Sequence, residues 1–215
     1  MPPLRLPPVD AEIPEASRRA VECTLDGLLV QLVQGDPEAR RRAALDLADV
    51  PEAIPALVQR VGVELDPTVR DAICSQLVRH DRPEVVDGLI EHLASDDAGL
   101  RNAVAVVLSQ TLRSTVRRMP DLLADPDPDV RILTVAVLGA LRAVEVKRWL
   151  AHIVATDPHP NVVSAAIGEL APIAGDCCGP ALRSARQRFP NDPYIAFAVA
   201  RAMGGSDDTS DEVGR

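Results

Sequence analysis

A phrase of the form Asp-Pro-x-Val-Arg returns at nearly constant intervals along this chain of 215 residues. That periodicity restricts the possible folds more than any other feature, because self-similarity at 20 to 50 residues is the mark of stacked repeats. Asp36, Asp66, Asp97 and Asp127 stand 30, 31 and 30 residues apart, and the series continues at slightly longer intervals through His159 and Asp192. The six phrases read DPEAR, DPTVR, DAGLR, DPDVR, HPNVV and DPYIA.

Counting from each opening residue, offsets 3, 7, 8 and 11 trace one face of a helix at 3.6 residues per turn. They hold Ala39, Ala43, Ala44 and Leu47; Val69, Ile73, Cys74 and Leu77; Leu100, Val104, Ala105 and Leu108; Val130, Thr134, Val135 and Leu138; Val162, Ala166, Ile167 and Leu170; and Ile195, Val199, Ala200 and Met203. Thr134 is the single polar residue among these 24 positions, in a chain that is only 47% hydrophobic. Chance does not produce that, so each phrase opens an amphipathic helix. The chemistry of the opening agrees: Asp caps the first free amides, and Pro fits the first helical position, where its missing N–H costs nothing.

Turns are expected at residues 48–50, 79–82, 111–114, 142–143 and 172–176, each followed by a second apolar stretch: PEAIPALVQRV, PEVVDGLIEHL, TVRRMPDLL, AVEVKRWLAHIV and CCGPALRSARQRF. A helical hairpin with one apolar stripe per helix cannot bury that stripe alone and must stack on its neighbours. The expected fold is therefore all-α, a right-handed α-α superhelix of about five helix pairs plus terminal capping helices. Over residues 28–203, the DPxVR openings and the IPALV-like second helices resemble HEAT repeats. Within them the chain resembles the short subtype found in phycobilisome bilin lyases and many bacterial adaptor proteins. The third repeat departs from the pattern at Pro120, which falls where a longer second helix would run.

The ends differ in composition. Residues 1–14 carry five prolines and read as extended; residues 15–34 place Ala16, Ala20, Cys23, Leu28, Leu29 and Leu32 at helical spacing and read as a cap on the first repeat. The solenoid is thus expected over residues 15–203, followed by an acidic, disordered tail at 204–215. The sixth phrase has a first helix and no second, so residues 195–203 are expected to offer an apolar edge for self-association or for a partner. No apolar run approaches the roughly 18 residues that span a bilayer, and the N-terminus lacks the pattern of a secretory signal. With four cysteines, Cys23, Cys74, Cys177 and Cys178, at unpatterned positions, a reduced, cytoplasmic setting is expected.

Candidate chemistry is sparse. The arginines at offset 4 (Arg40, Arg70, Arg101, Arg131) recur with the repeat, so they mark no single site. They lie four residues after each capping Asp, the spacing of a helical ion pair, and the resemblance implies a ladder between neighbouring repeats. In solenoids resembling this one the second helices line the concave surface, and their charges here are segregated. The second repeat contributes Glu84, Asp87 and Glu91; later ones contribute Arg117, Arg118, Lys147, Arg148, Arg183, Arg186 and Arg188, with Trp149, the only tryptophan, among them.

Against nucleic acid stand a net charge of −9 and an aromatic content of 2%, because phosphate tracking needs a basic groove and base stacking needs rings. His92 and His152 belong to repeats two apart, about 20 Å at ordinary helix spacing, so they cannot share a metal. His80 sits in a turn beside Asp81, and His159 replaces a capping Asp. Cys177-Cys178 is a vicinal thiol pair without a second CxxC or a nearby His, which reads as small apolar residues opening a helix. No nucleophile, phosphate-loop or zinc-protease motif is present, so no catalytic residue and no cofactor is expected.

The expected function is a non-catalytic protein-binding scaffold, adaptor or assembly factor. It would hold a partner protein on the concave face through Arg117, Arg118, Lys147, Arg148, Arg183 and Arg186, with Trp149 as apolar anchor. The resemblance to bilin lyases implies the alternative of a cofactor-attachment subunit; nucleic-acid binding comes behind both.

Overall fold

The computed structural model describes residues 24–141, 145–173 and 178–204. The expected extended segment at 1–14, the first half of the capping helix, Cys23, Cys177, the turn at 142–143 and residues 205–215 of the expected tail lie outside the described residues. Among the described residues there are twelve α-helices, three short 3-10 turns and no strand, an all-α helical solenoid. The helices are α1 (Leu25–Gln34), α2 (Pro37–Asp46), α3 (Ile54–Val63), α4 (Pro67–Leu77), α5 (Pro83–Leu89), α6 (Ala98–Gln110), α7 (Leu112–Leu123), α8 (Pro128–Ala140), α9 (Val146–Thr156), α10 (Pro160–Leu170), α11 (Gly179–Arg188) and α12 (Pro193–Gly204).

The opening phrases start helices as their chemistry requires. The carboxylates of Asp36, Asp66, Asp97 and Asp127 each accept a backbone N–H from the first turn of α2, α4, α6 and α8, and Asp192 does the same for α12. His159 makes no side-chain cap bond at α10. Of the 24 periodic positions, all but Ala39, Ala105, Ala200 and Met203 are buried, and the polar one, Thr134, is satisfied by donating to the Val130 carbonyl at 2.8 Å.

First helices form one row, α2, α4, α6, α8, α10 and α12, each packed on the next. Second helices form another, in which α3 packs on α5, α5 on α7, and α9 on α11, while α7 and α9 make little direct contact. The row is therefore open at the third repeat, where the sequence carries Pro120, here inside α7. Close packing elsewhere is tight enough that a Cβ on Gly88 of α5 would collide with Val58 Cγ1 of α3.

Two expectations need correction. The turn placed at residues 111–114 is a single residue, Thr111, because Asp81 of the preceding repeat accepts the Arg113 and Ser114 amides at 2.8 and 2.9 Å and lets α7 begin at Leu112. In the last repeat the inner face is Ile195, Val199 and Ala202, all buried against α10 and α11, so the uncovered face is not the periodic one. It is formed by Tyr194 and Phe197, with Met203 at the end of the helix.

Candidate functional site

The recurring arginines build the frame that holds any site in place. Each closes its own loop: Arg40 donates to the Gly35 carbonyl, Arg70 to Glu64, Arg101 to Ser95 and Arg131 to Asp125. Three of them also bridge to the next repeat. Arg40 forks onto Glu64 at 2.8 and 2.9 Å, Arg70 reaches Asp97 at 2.7 Å, and Arg131 forks onto Asp157 at 2.9 and 3.1 Å. Of the ladder implied by the resemblance, one rung joins an Arg to the next opening Asp, Arg70 to Asp97; Arg40 and Arg131 instead reach Glu64 and Asp157, and none of the three pairs with the Asp four residues before it.

A further position escaped sequence reasoning. Two residues before each inner opening stands a side chain, Glu64, Ser95, Asp125 or Asp157, that accepts the N–H of the opening residue. Glu64 also receives Arg60 at 2.8 Å. Burial alone would raise the Glu64 carboxyl, but hydrogen bonds from Arg40, from the Asp66 amide and from Arg60 outweigh it and hold its pKa at about 2.

Where the second-helix row opens, the chain forms a groove of about 570 Å³ between α7 and α9. Pro120 and Leu123 stand on one wall, Trp149, His152 and Ile153 on the other, and the Arg131–Asp157 pair lies among the lining residues. Trp149 is half-buried: part of its ring packs on the core and part lines the groove. The α9–α11 junction beside it is closed, since Arg188 donates to the Asp157 and Val154 carbonyls and Ser184 to Ala155.

The expected binding cations divide into two sets. Arg117, Arg148 and Arg183 are exposed and have no ion pair among the described residues. Arg118 is engaged by Asp87 of α5 at 3.1 Å and by Asp121 at 3.4 Å. Arg186 donates to the Phe189 and Pro190 carbonyls and finishes its own helix. Lys147 is half-buried at the start of α9. The acidic second-repeat helix and the basic third-repeat helix are thus neighbours that neutralise each other at Asp87–Arg118, and the basic strip is narrower than charge counting suggests.

The remaining candidates have structural positions. His80 Nε2 lies 2.7 Å from the Ala48 carbonyl, tying the first two turns together, and Arg79 pairs with Asp49 at 2.8 Å across the same junction. The ring of His92 lies over Gly62, where a Cβ would come within 2.6 Å of it. Cys74 is buried, and burial pushes its thiol up to about 11, so it is a packing residue. Cys178 is buried too. No described helix is long and apolar enough to cross a membrane.

One comparison with known proteins bears on this architecture. A family model described as HEAT repeats matches residues 25–109. No curated protein matches the chain. Among solved structures, the crystal structure of an engineered protein is similar at 18% identity and a TM-score of 0.41, covering 85% of this chain and 98% of that one.

Proposed function

We propose that this chain is a non-catalytic scaffold that holds a partner protein against its second-helix face, anchored in the groove between α7 and α9. The observation that carries the reading is the opening of that row at Trp149. The only tryptophan of the chain is half-exposed on the wall of a groove of about 570 Å³, in the same helix as the exposed, unpaired Arg148. A large rigid ring on the wall of a hollow, with an unpaired cation on the same helix, is the kind of anchor that concentrates binding energy in protein interfaces. The cations select an acidic partner segment and speed its approach. The match to HEAT repeats supports the reading, because stacked hairpins present a broad continuous surface.

The test is retention of partner proteins from the native organism's lysate by wild type, by Trp149→Ala and by Arg148→Glu with Arg183→Glu. Both arginines are exposed, so the charge reversal should leave the melting temperature within about 2 °C, the usual range for surface substitutions. Loss of the retained protein with intact helical circular dichroism is expected; undiminished retention by both variants would remove the site. The single tryptophan supplies a second readout, since its emission must shift when a captured partner fills the groove.

A further inference from the structure

We infer that two copies of this chain associate through the outer face of α12, antiparallel about a two-fold axis near Phe197 and Ala198. The chain has only four aromatic side chains, and two of them, Tyr194 and Phe197, stand 77% and 68% exposed on this one helix. The end repeat of a solenoid ordinarily turns a polar face to water, because nothing stacks on it. Here α12, the last described helix, presents rings, and among the described residues nothing covers them.

The rings themselves wall a hollow. Tyr194, Phe197 and Arg201 of α12 form one side of it and Ile167, Gly168 and Ala171 of the preceding helix and its 3-10 extension the other, enclosing about 240 Å³. A Cβ on Gly168 would meet no atom within 4 Å, so the approach to the hollow is open. A face that carries both the rings and the hollow they wall can meet itself, the condition for isologous pairing, with Tyr194 of each copy seated on the Arg201 side of the other copy's hollow.

Spacing fixes the direction of the pair. Tyr194, Phe197 and Arg201 follow one another at three and four residues, forming one stripe along the helix. Two stripes laid antiparallel about residues 197 and 198 bring Tyr194 of each copy against Arg201 of the other. Arg201 is exposed and has no ion pair among the described residues, so its guanidinium is available to the ring face. A parallel pair would set Arg201 against Arg201 of the other copy, and like charges facing each other disfavour it.

The area is modest. Two rings of this exposure remove about 300 Å² per copy from water, against roughly 800 Å² per partner in a standard interface. Exposed Met203 and Ile173 and the walls of the hollow add to it. The dimer therefore belongs at the weak end, with a dissociation constant on the order of 10–100 μM.

Sedimentation equilibrium of the full chain, from low micromolar to near-millimolar concentration, tests this directly. The mass should rise from 23.0 kDa toward twice that value. Phe197→Glu should remain monomeric throughout with unchanged circular dichroism and melting temperature. Arg201→Glu should weaken the dimer about tenfold, because a two-fold pair contains the lost contact twice; adding Tyr194→Lys should restore part of the loss by pairing with the new glutamate. A wild type that stays monomeric, or a dimer indifferent to Phe197→Glu, overturns the surface. A dimer indifferent to Arg201→Glu overturns the antiparallel arrangement.

Discussion

Glu64 is the side chain on which the junction of the first two repeats depends. Its carboxylate is removed from water yet holds two arginines and one amide, and it titrates near 2 instead of in the ordinary carboxylate range. The folded pKa lies below the unfolded one, so the unfolded chain binds more protons in between and stability rises with pH through that window. Glu64 therefore contributes fully above about pH 4.5 and loses its contribution as pH falls toward 2, a difference of about 3 kcal/mol at neutral pH. Glu64→Gln should lower the melting temperature by about 6–12 °C at pH 7. Melts at descending pH should show the gap to wild type closing toward pH 2, and a gap independent of pH would contradict the assignment. The recurring arginines were legible in the sequence as framework because they recur with the repeat. Their partners were not, because Arg40 and Arg131 reach Glu64 and Asp157, two residues before an opening, whereas Arg70 reaches the opening residue Asp97 itself, and no repeated letter marks one receiving position.

Among the elements, α7 owes both its start and its effect on its neighbours to residues outside the repeat pattern. It has no side-chain cap of its own, and Asp81, in the turn before α5, supplies one from the previous repeat. Burial works to raise the Asp81 carboxyl, but the Arg113 and Ser114 amides lower it further, consistent with a carboxylate held for capping. Asp81→Ala should cost about 1–2 kcal/mol, the usual value of a lost cap. Hydrogen exchange should show the loss concentrated in the first turn of α7, with α2 and α4 unaffected; uniform acceleration would mean that Asp81 does something else. Helix existence and the inner faces were readable from periodicity through the first five repeats, since burial there follows the 3.6-residue stripe. In the sixth repeat the stripe shifts to Ala202, and Met203 turns outward. Pro120 announced a departure in the third repeat, but the width of the groove depends on how α8 carries α9 away from α7, a tertiary outcome that no local pattern encodes.

At the scale of the whole molecule, the third and fourth repeats form the weakest junction. Arg101 donates to the Ser95 carbonyl and reaches no carboxylate of the next repeat, whereas its counterparts Arg40, Arg70 and Arg131 all do. Arg101 instead borders a cavity of about 400 Å³ with Asp127 and Asp129 on its far side. On the second-helix side the same junction is the open groove, so the coupling runs through α8, which packs on both α6 and α7. The stability of a repeat array is close to a sum of repeat terms and nearest-neighbour interface terms, and cooperativity breaks first where an interface term is small. Destabilising one half should therefore let it unfold ahead of the other. Ile167, 1% exposed in α10, belongs to the C-terminal half; Ile167→Ala should cost about 2–5 kcal/mol there. Trp149, in the same half, reports it alone by fluorescence, while far-ultraviolet circular dichroism reports every helix. In urea, the fluorescence midpoint of Ile167→Ala should fall below the circular dichroism midpoint. Coincident midpoints would mean that the contacts of α8 with α6 and α7 keep the two halves one cooperative unit.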